Sequence, residues 1–148
     1  MAGDLSKHPC FVDRLKTYIH QNKMQSKVQI FGAEPKMIHL YGISDIVLST
    51  SIEPEAFGRT IIEAQSMEKL VIATGVGGAA ETIVDGKTGF HVRPSEIEEL
   101  AKKISECLKI VGTKDAEKIT SAARENVAKN FSLEKMLSTV LDVYEKCK

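Results

Sequence analysis

Two glutamates, Glu55 and Glu63, stand eight positions apart in SIEPEAFGRTIIEAQ, residues 51–65, with Phe57-Gly58-Arg59-Thr60 between them. A carboxylate accepts hydrogen bonds on both oxygens, which suits a vicinal diol such as that of a ribose. The first amides of a helix have no internal partners and carry partial positive charge. A helix opening at Gly58 or Arg59 offers the amides of Gly58, Arg59 and Thr60, with the Thr60 hydroxyl, to a phosphate. Gly58 has no Cβ to hinder a close approach. Glu63, one turn further on, would then meet a ribose, and Glu55 whatever hangs off the far side of the phosphates. Read together, the stretch outlines a nucleotide-sugar. A plainer reading stands beside it: acidic residues near a helix start are favoured by the dipole alone, and an exposed helical Glu is ordinary.

The elements that must position these residues are legible as short apolar runs alternating with helical patterns. Val28–Phe31, Asp45–Thr50, Leu70–Thr74 and Thr88–Val92 read as strands. Their continuous apolar character fits a parallel sheet buried on both faces. Between them, helices are expected over Pro9–Lys23, Pro35–Tyr41, Arg59–Met67 and Gly78–Val84, the last stopped by Asp85-Gly86. This order predicts a Rossmann-like α/β fold, a parallel sheet with flanking helices. Ser51–Gly58 is then the loop leaving the carboxyl end of a strand, where open α/β sheets bind ligands. From Ser95 on, the pattern is helical: Ser95–Ile110 with Ser95 as N-cap and Glu98 in the capping-box position, then Lys114–Lys129, then Leu133–Cys147 with Ser132 as a cap. The expected organisation is one domain, with residues 1–94 forming the α/β part and 95–148 the C-terminal helices.

Composition narrows the classes. The 148 residues carry 20 Lys+Arg against 20 Asp+Glu, so no basic surface for nucleic acid is expected. No apolar run approaches the roughly 18 residues of a membrane span, and MAGDLSKHPC lacks a signal peptide's apolar centre. Cys10, Cys107 and Cys147 are scattered and odd in number, which supports neither a disulfide framework nor a zinc site. His8, His20, His39 and His91 show no ligand spacing, and His39 and His91 read as packing or surface residues. No metal is expected, and a reduced cytoplasmic setting is the default. Met24, Met37, Met67 and Met136 read as core fillers.

A second constellation is Gly77-Gly78-Ala79-Ala80-Glu81. Its glycines permit close backbone approach behind the same cleft, and Glu81 is expected chiefly to cap a helix. Gly75–Ala80 also matches G-x-G-x-x-A after a strand, the dinucleotide fingerprint. That reading needs an acidic residue ending the next strand about twenty positions on, whereas Glu96, Glu98 and Glu99 fall in an expected helix.

Pro54–Ala64 resembles the E-x7-E motif of the group 1 (family 4) retaining glycosyltransferases. VIATGVGGAAETIVDGKTGFHVRP resembles that family's next strand, G-G-x-x-E turn and G-x-T-G-x-x-V-x-P segment, and AARENVAKNFSLEKMLSTVLDVYE its C-terminal helices. The resemblance implies the C-terminal, donor-binding half of a GT-B enzyme. In it Glu55 lies beside the donor hexose as the catalytic candidate, and Glu63 binds the ribose. Phe57, Gly58, Arg59 and Thr60 contact hexose and diphosphate, with Gly77 and Gly78 behind them. It implies a UDP-, GDP- or ADP-sugar donor, no cofactor, front-face attack within an ion pair, and a hexosyl acceptor in a cell-envelope glycan or lipid. Membrane contact would be indirect, peripheral to the inner membrane.

The resemblance also implies what precedes Met1: an N-terminal domain, a first strand, and a Lys and an Arg that clamp the diphosphate. Ala2-Gly3-Asp4 resembles the end of a second strand. In the implied order the missing strands lie between Val28–Phe31 and Asp45–Thr50, so Val28–Phe31 is expected to have no neighbour and Asp45–Thr50 an exposed edge. The chain is then expected to borrow a partner (the missing domain), to swap elements with a second copy in a dimer, or to rearrange. As a free polypeptide the chain is expected to be inactive. The alternative is a remnant or split-gene product acting only in binding or assembly. Where the family has Gly after the Met67 helix, this chain has Glu68, at a cost of about 1 kcal/mol if the left-handed turn is kept.

Overall fold

The computed structural model describes residues 5–147. The chain divides into two units, Met1–Met37 and Ile38–Lys148. Ala2-Gly3-Asp4 lies outside the described residues.

In the first unit, α1 (Pro9–Gln21) starts with Pro at its first position, where the missing N–H costs nothing. Val12 and Ile19 are its buried residues. It ends in a Schellman turn: Lys23, at φ 54°, donates to His20 O at 3.0 Å and Met24 to Ile19 O at 2.9 Å. The expected strand Val28–Phe31 does not form; only Phe31 makes a single bridge. A strand is defined by its neighbours' hydrogen bonds. An apolar run supplies the side chains for one but not the ladder.

The second unit orders α2 (Met37–Ile43, which opens at the boundary), β1 (Ile46–Ser49), α3 (Arg59–Ser66), β2 (Leu70–Thr74), α4 (Gly78–Thr82), β3 (Phe90–Val92), α5 (Ile97–Ile110), α6 (Lys114–Asn130) and α7 (Leu133–Lys146). The sheet runs β1-β2-β3 and both pairings are parallel, with Ile46 opposite Leu70 and Ile72 opposite Phe90. Every residue of the central strand β2 is buried. Since side chains alternate, Leu70 and Ile72 face one side, where they join Val92, Cys107 and Ala116. Val71 and Ala73 face the other side and are fully buried there. The helix α3 packs on β2 and on α6. Among the described residues β1 pairs only with β2, and Leu48 on this edge is exposed.

Several boundaries differ from expectation. The helix α5 begins at Ile97, not Ser95: Ser95 sits at φ 64°, outside helical space, and Glu96 is the N-cap with no side-chain cap bond. Glu98 therefore serves the first turn through its charge, not through a capping box. The short α4 stops at Thr82 because Ile83 turns extended, and the following loop is closed by Val84 N–H donating to Thr88 Oγ1 at 2.8 Å. Glu81 lies in the first turn of α4 and makes no side-chain hydrogen bond among the described residues. Ser132 does cap α7, accepting from Lys135 N–H at 3.2 Å, and Thr113 caps α6 in the same way. Met136 is exposed, not a core filler, because α7 buries none of its residues.

The end of α3 shows how Glu68 is accommodated. Glu68 has φ 55°, its N–H donates to Gln65 O at 3.0 Å, and Lys69 N–H donates to Ala64 O at 3.1 Å. This is the Schellman turn that favours glycine, kept with a side chain in the left-handed position.

Candidate functional site

Two loops leave the carboxyl ends of the neighbouring parallel strands β1 and β2 and are pressed together. Thr74 Oγ1 donates to Ser51 O at 2.5 Å, and Gly78 N–H donates to Glu55 O at 2.8 Å. A Cβ built on Gly77 would meet Glu55 O at 2.4 Å, and one on Gly78 would meet Phe57 Cα at 2.5 Å. Gly77 also has φ +57°. No side chain fits at either position, so the first job of these glycines is to let the Glu55–Phe57 backbone lie on the start of α4. His91 supports the same region from β3: its ring Nε2 lies 3.1 Å from Ala79 O.

Gly58 is the N-cap of α3 at φ 71°, a left-handed conformation that glycine adopts without strain. A Cβ there would lie 3.7 Å from Ala79 N, so the starts of α3 and α4 converge. Among the described residues the amides of Gly58, Arg59 and Thr60 donate no hydrogen bond. They are free donors at the positive end of a helix dipole.

The two glutamates are held differently. Glu55 is exposed, and Ser51 Oγ donates to its carboxylate. Glu63 is half-buried in the second turn of α3. Tyr41 Oη donates to its Oε2 at 2.9 Å, and Arg59 Nη2 to its Oε1 at 3.2 Å. Tyr41 is buried, at 4% exposure, whereas the Arg59 side chain is 83% exposed. Burial, the hydrogen bond to Glu63 and the Glu63 charge together push the Tyr41 phenol up to about 12. Phe57 is partly exposed, and Phe131 meets its ring edge-on with centroids 5.9 Å apart.

The structure therefore brings Glu55, Phe57 and Gly58 beside Gly77 and Gly78, with Arg59, Thr60 and Glu63 following along α3. Sequence reasoning gave no role to Tyr41, Ser51, Thr74 and Phe131, and read His91 as a packing or surface residue, in keeping with its ring against Ala79 O. Tyr41 is 22 residues from Glu63, and nothing local marks their contact. The dinucleotide fingerprint is not met, since Glu96 caps α5 and Glu98 and Glu99 open it, none ending a strand. Among the described residues no three His, Cys, Asp or Glu side chains are grouped to hold a metal ion, and the three cysteines are free.

These features define a class: a parallel α/β unit whose two converging loops bring polar side chains and unpaired helix-start amides to the carboxyl edge of its sheet. The family model for group 1 glycosyl transferases matches residues 10–126, and the chain belongs to that family. Its fold is that of part of a GT-B glycosyltransferase. A glycosyltransferase structure from Rickettsia africae is 57% identical with a TM-score of 0.95, over 99% of this chain and 38% of that one. Anabaena HepE, solved with UDP and glucose, is 29% identical with a TM-score of 0.90, over 98% of this chain and 39% of that one. A trehalose synthase of Thermococcus litoralis is 39% identical over 101 residues, which is 68% of this chain and 23% of that protein. The chain thus spans less than two-fifths of the length of each of these relatives.

Proposed function

We propose that the chain is the nucleotide-sugar-binding part of a retaining glycosyltransferase that moves a hexosyl group from a nucleoside-diphosphate sugar to an acceptor hydroxyl. The amides of Gly58, Arg59 and Thr60, which donate no hydrogen bond among the described residues and stand one turn before the fixed Glu63 carboxylate on the same helix, carry this reading. The binding of UDP and glucose by Anabaena HepE supports it, because that match runs through nearly the whole chain.

In the proposed arrangement the amides meet the diphosphate, Glu63 accepts from the ribose hydroxyls, and Glu55 faces the hexose. Transfer breaks the bond from the anomeric carbon to the phosphate oxygen, and the electron pair leaves with the nucleoside diphosphate. The acceptor oxygen bonds to the same face of the anomeric carbon, and its proton passes to the departing phosphate. Amides fixed at the helix start stabilise the charge that grows on the leaving group without having to reorganise. The reading assigns no resident metal. It places the acceptor in a cell-envelope glycan or lipid and the protein on the cytoplasmic side. No described helix is long and apolar enough to cross a membrane.

The reading also includes a partner, either an N-terminal glycosyltransferase domain or a second copy, beside the exposed edge of β1. Calorimetric titration with UDP, GDP and ADP tests the donor site. Saturable binding of one of them, lost in Glu63→Ala, is expected. No binding of any would overturn it. The second reading, a module acting only in binding or assembly, rests on the exposed edge of β1, where a partner could pair. Supplying the N-terminal domain in trans and following nucleoside-diphosphate release separates the two.

A further inference from the structure

We propose that Tyr41 is a positioning residue for nucleotide recognition, which presets the Glu63 carboxylate so that it can take both ribose hydroxyls. The inference rests on the ribose role of Glu63 stated above and adds to it the residue that makes that role selective.

Three observations carry it. Tyr41 is an aromatic residue of α2 buried to 4% exposure, and its hydroxyl ends on Glu63 Oε2 at 2.9 Å. Arg59 holds the other oxygen, Oε1, at 3.2 Å. A carboxylate has about two acceptor positions on each oxygen. Tyr41 and Arg59 use one on each, which leaves one free on each, the number that a vicinal diol needs. The two holders are not equal. Arg59 is mostly exposed, and a surface ion pair on one helix face is a weak and salt-screened restraint. Tyr41 comes from another element, its residue is buried, and its hydroxyl cannot swing away without losing a part-buried hydrogen bond. A glutamate free in water would lose its side-chain rotations on meeting the ribose; held by Tyr41, it has lost them on folding. Burial and the Glu63 contacts also keep the phenol protonated, and therefore a donor, at every physiological pH.

The test is calorimetric titration of the protein and its Tyr41→Phe variant with UDP, GDP and ADP and their 2′,3′-dideoxy counterparts. The substitution removes one oxygen and leaves the ring. The unaltered protein is expected to bind the ribose form about tenfold or more tightly than the dideoxy form. Tyr41→Phe is expected to lower that ratio about three- to tenfold, while affinity for the dideoxy form is unchanged. In a Glu63→Gln background Tyr41→Phe is expected to change the ratio no further. A ratio kept in Tyr41→Phe overturns the proposal and leaves the ribose role of Glu63 standing. Equal loss for both forms assigns Tyr41 to folding alone and also overturns it. No preference for the ribose form in the unaltered protein removes the role of Glu63 and the proposal together.

Discussion

Glu55 and Glu63 are eight residues apart and flank the same helix start, yet they are held by opposite means. Glu63 is fixed through its side chain, by Tyr41 and Arg59, on a helix whose other face is buried. Glu55 is fixed through its backbone, which lies against two glycines, while its exposed carboxylate accepts, among the described residues, a hydrogen bond from Ser51 alone. Side-chain fixing gives a carboxylate of set direction, suited to reading a diol. Backbone fixing sets where a carboxylate stands and leaves its direction to one surface hydrogen bond, which fits the hexose-facing role proposed for Glu55.

The largest effect is expected from breaking the backbone-held side. Gly78→Ala places a Cβ about where Phe57 backbone atoms lie, 2.5–2.8 Å away, so the loop must move. A loss of about 3 kcal/mol in stability is expected by denaturant titration. Gly77→Ala adds the strain of φ +57° to a 2.4 Å clash and is expected to be at least as severe.

Tyr41→Phe breaks the side-chain-held side at lower cost, about 1 kcal/mol near neutral pH. Its pH dependence is specific. The folded phenol is raised from the ordinary 10.0 to about 12, so the fold favours the protonated form. That contribution is fully present below pH 10 and is lost as pH rises through about 12. A phenol absorbance titration is expected to show a late step that is missing in Tyr41→Phe.

Glu68→Gly sharpens the comparison from outside both sides. It relieves the left-handed residue after α3 at the expense of the exposed Arg124–Glu68 pair, 3.3 Å apart. Thermal unfolding is expected to show a gain of about 1 kcal/mol, with nucleotide affinity unchanged. The smallest effect is expected from Ser51→Ala, within about 0.5 kcal/mol in stability, because the bond it removes is at the surface.

What could be read from sequence was what local pattern fixes. The continuous apolar run Leu70–Thr74 announced a strand buried on both faces, and it is the centre of the sheet. Ser132 announced a cap, and the Met67-Glu68 turn announced a left-handed residue; both are present. Features that depend on a distant partner were not legible. Val28–Phe31 has a strand's composition without a strand's ladder, and only the resemblance, by placing missing strands beside it, pointed to its lack of a neighbour. Ser95 is a good cap by type, but the chain turns through it at φ 64° before the helix starts. Met136 reads as a core filler, yet it is exposed on α7 together with Leu133, Leu137, Val140, Leu141 and Tyr144. In the site, glycine spacing pointed to close approach, but only the structure shows that Glu55 and Phe57 are what approach Gly77 and Gly78.

The central claim is that the start of α3 holds a diphosphate. Backbone amide chemical shifts test it most directly, recorded while inorganic pyrophosphate and then the tightest-binding of UDP, GDP and ADP are added to the protein. The largest shifts for pyrophosphate are expected at Gly58, Arg59 and Thr60, extending with the nucleotide to Glu63. Shifts that bypass those three amides would contradict the account.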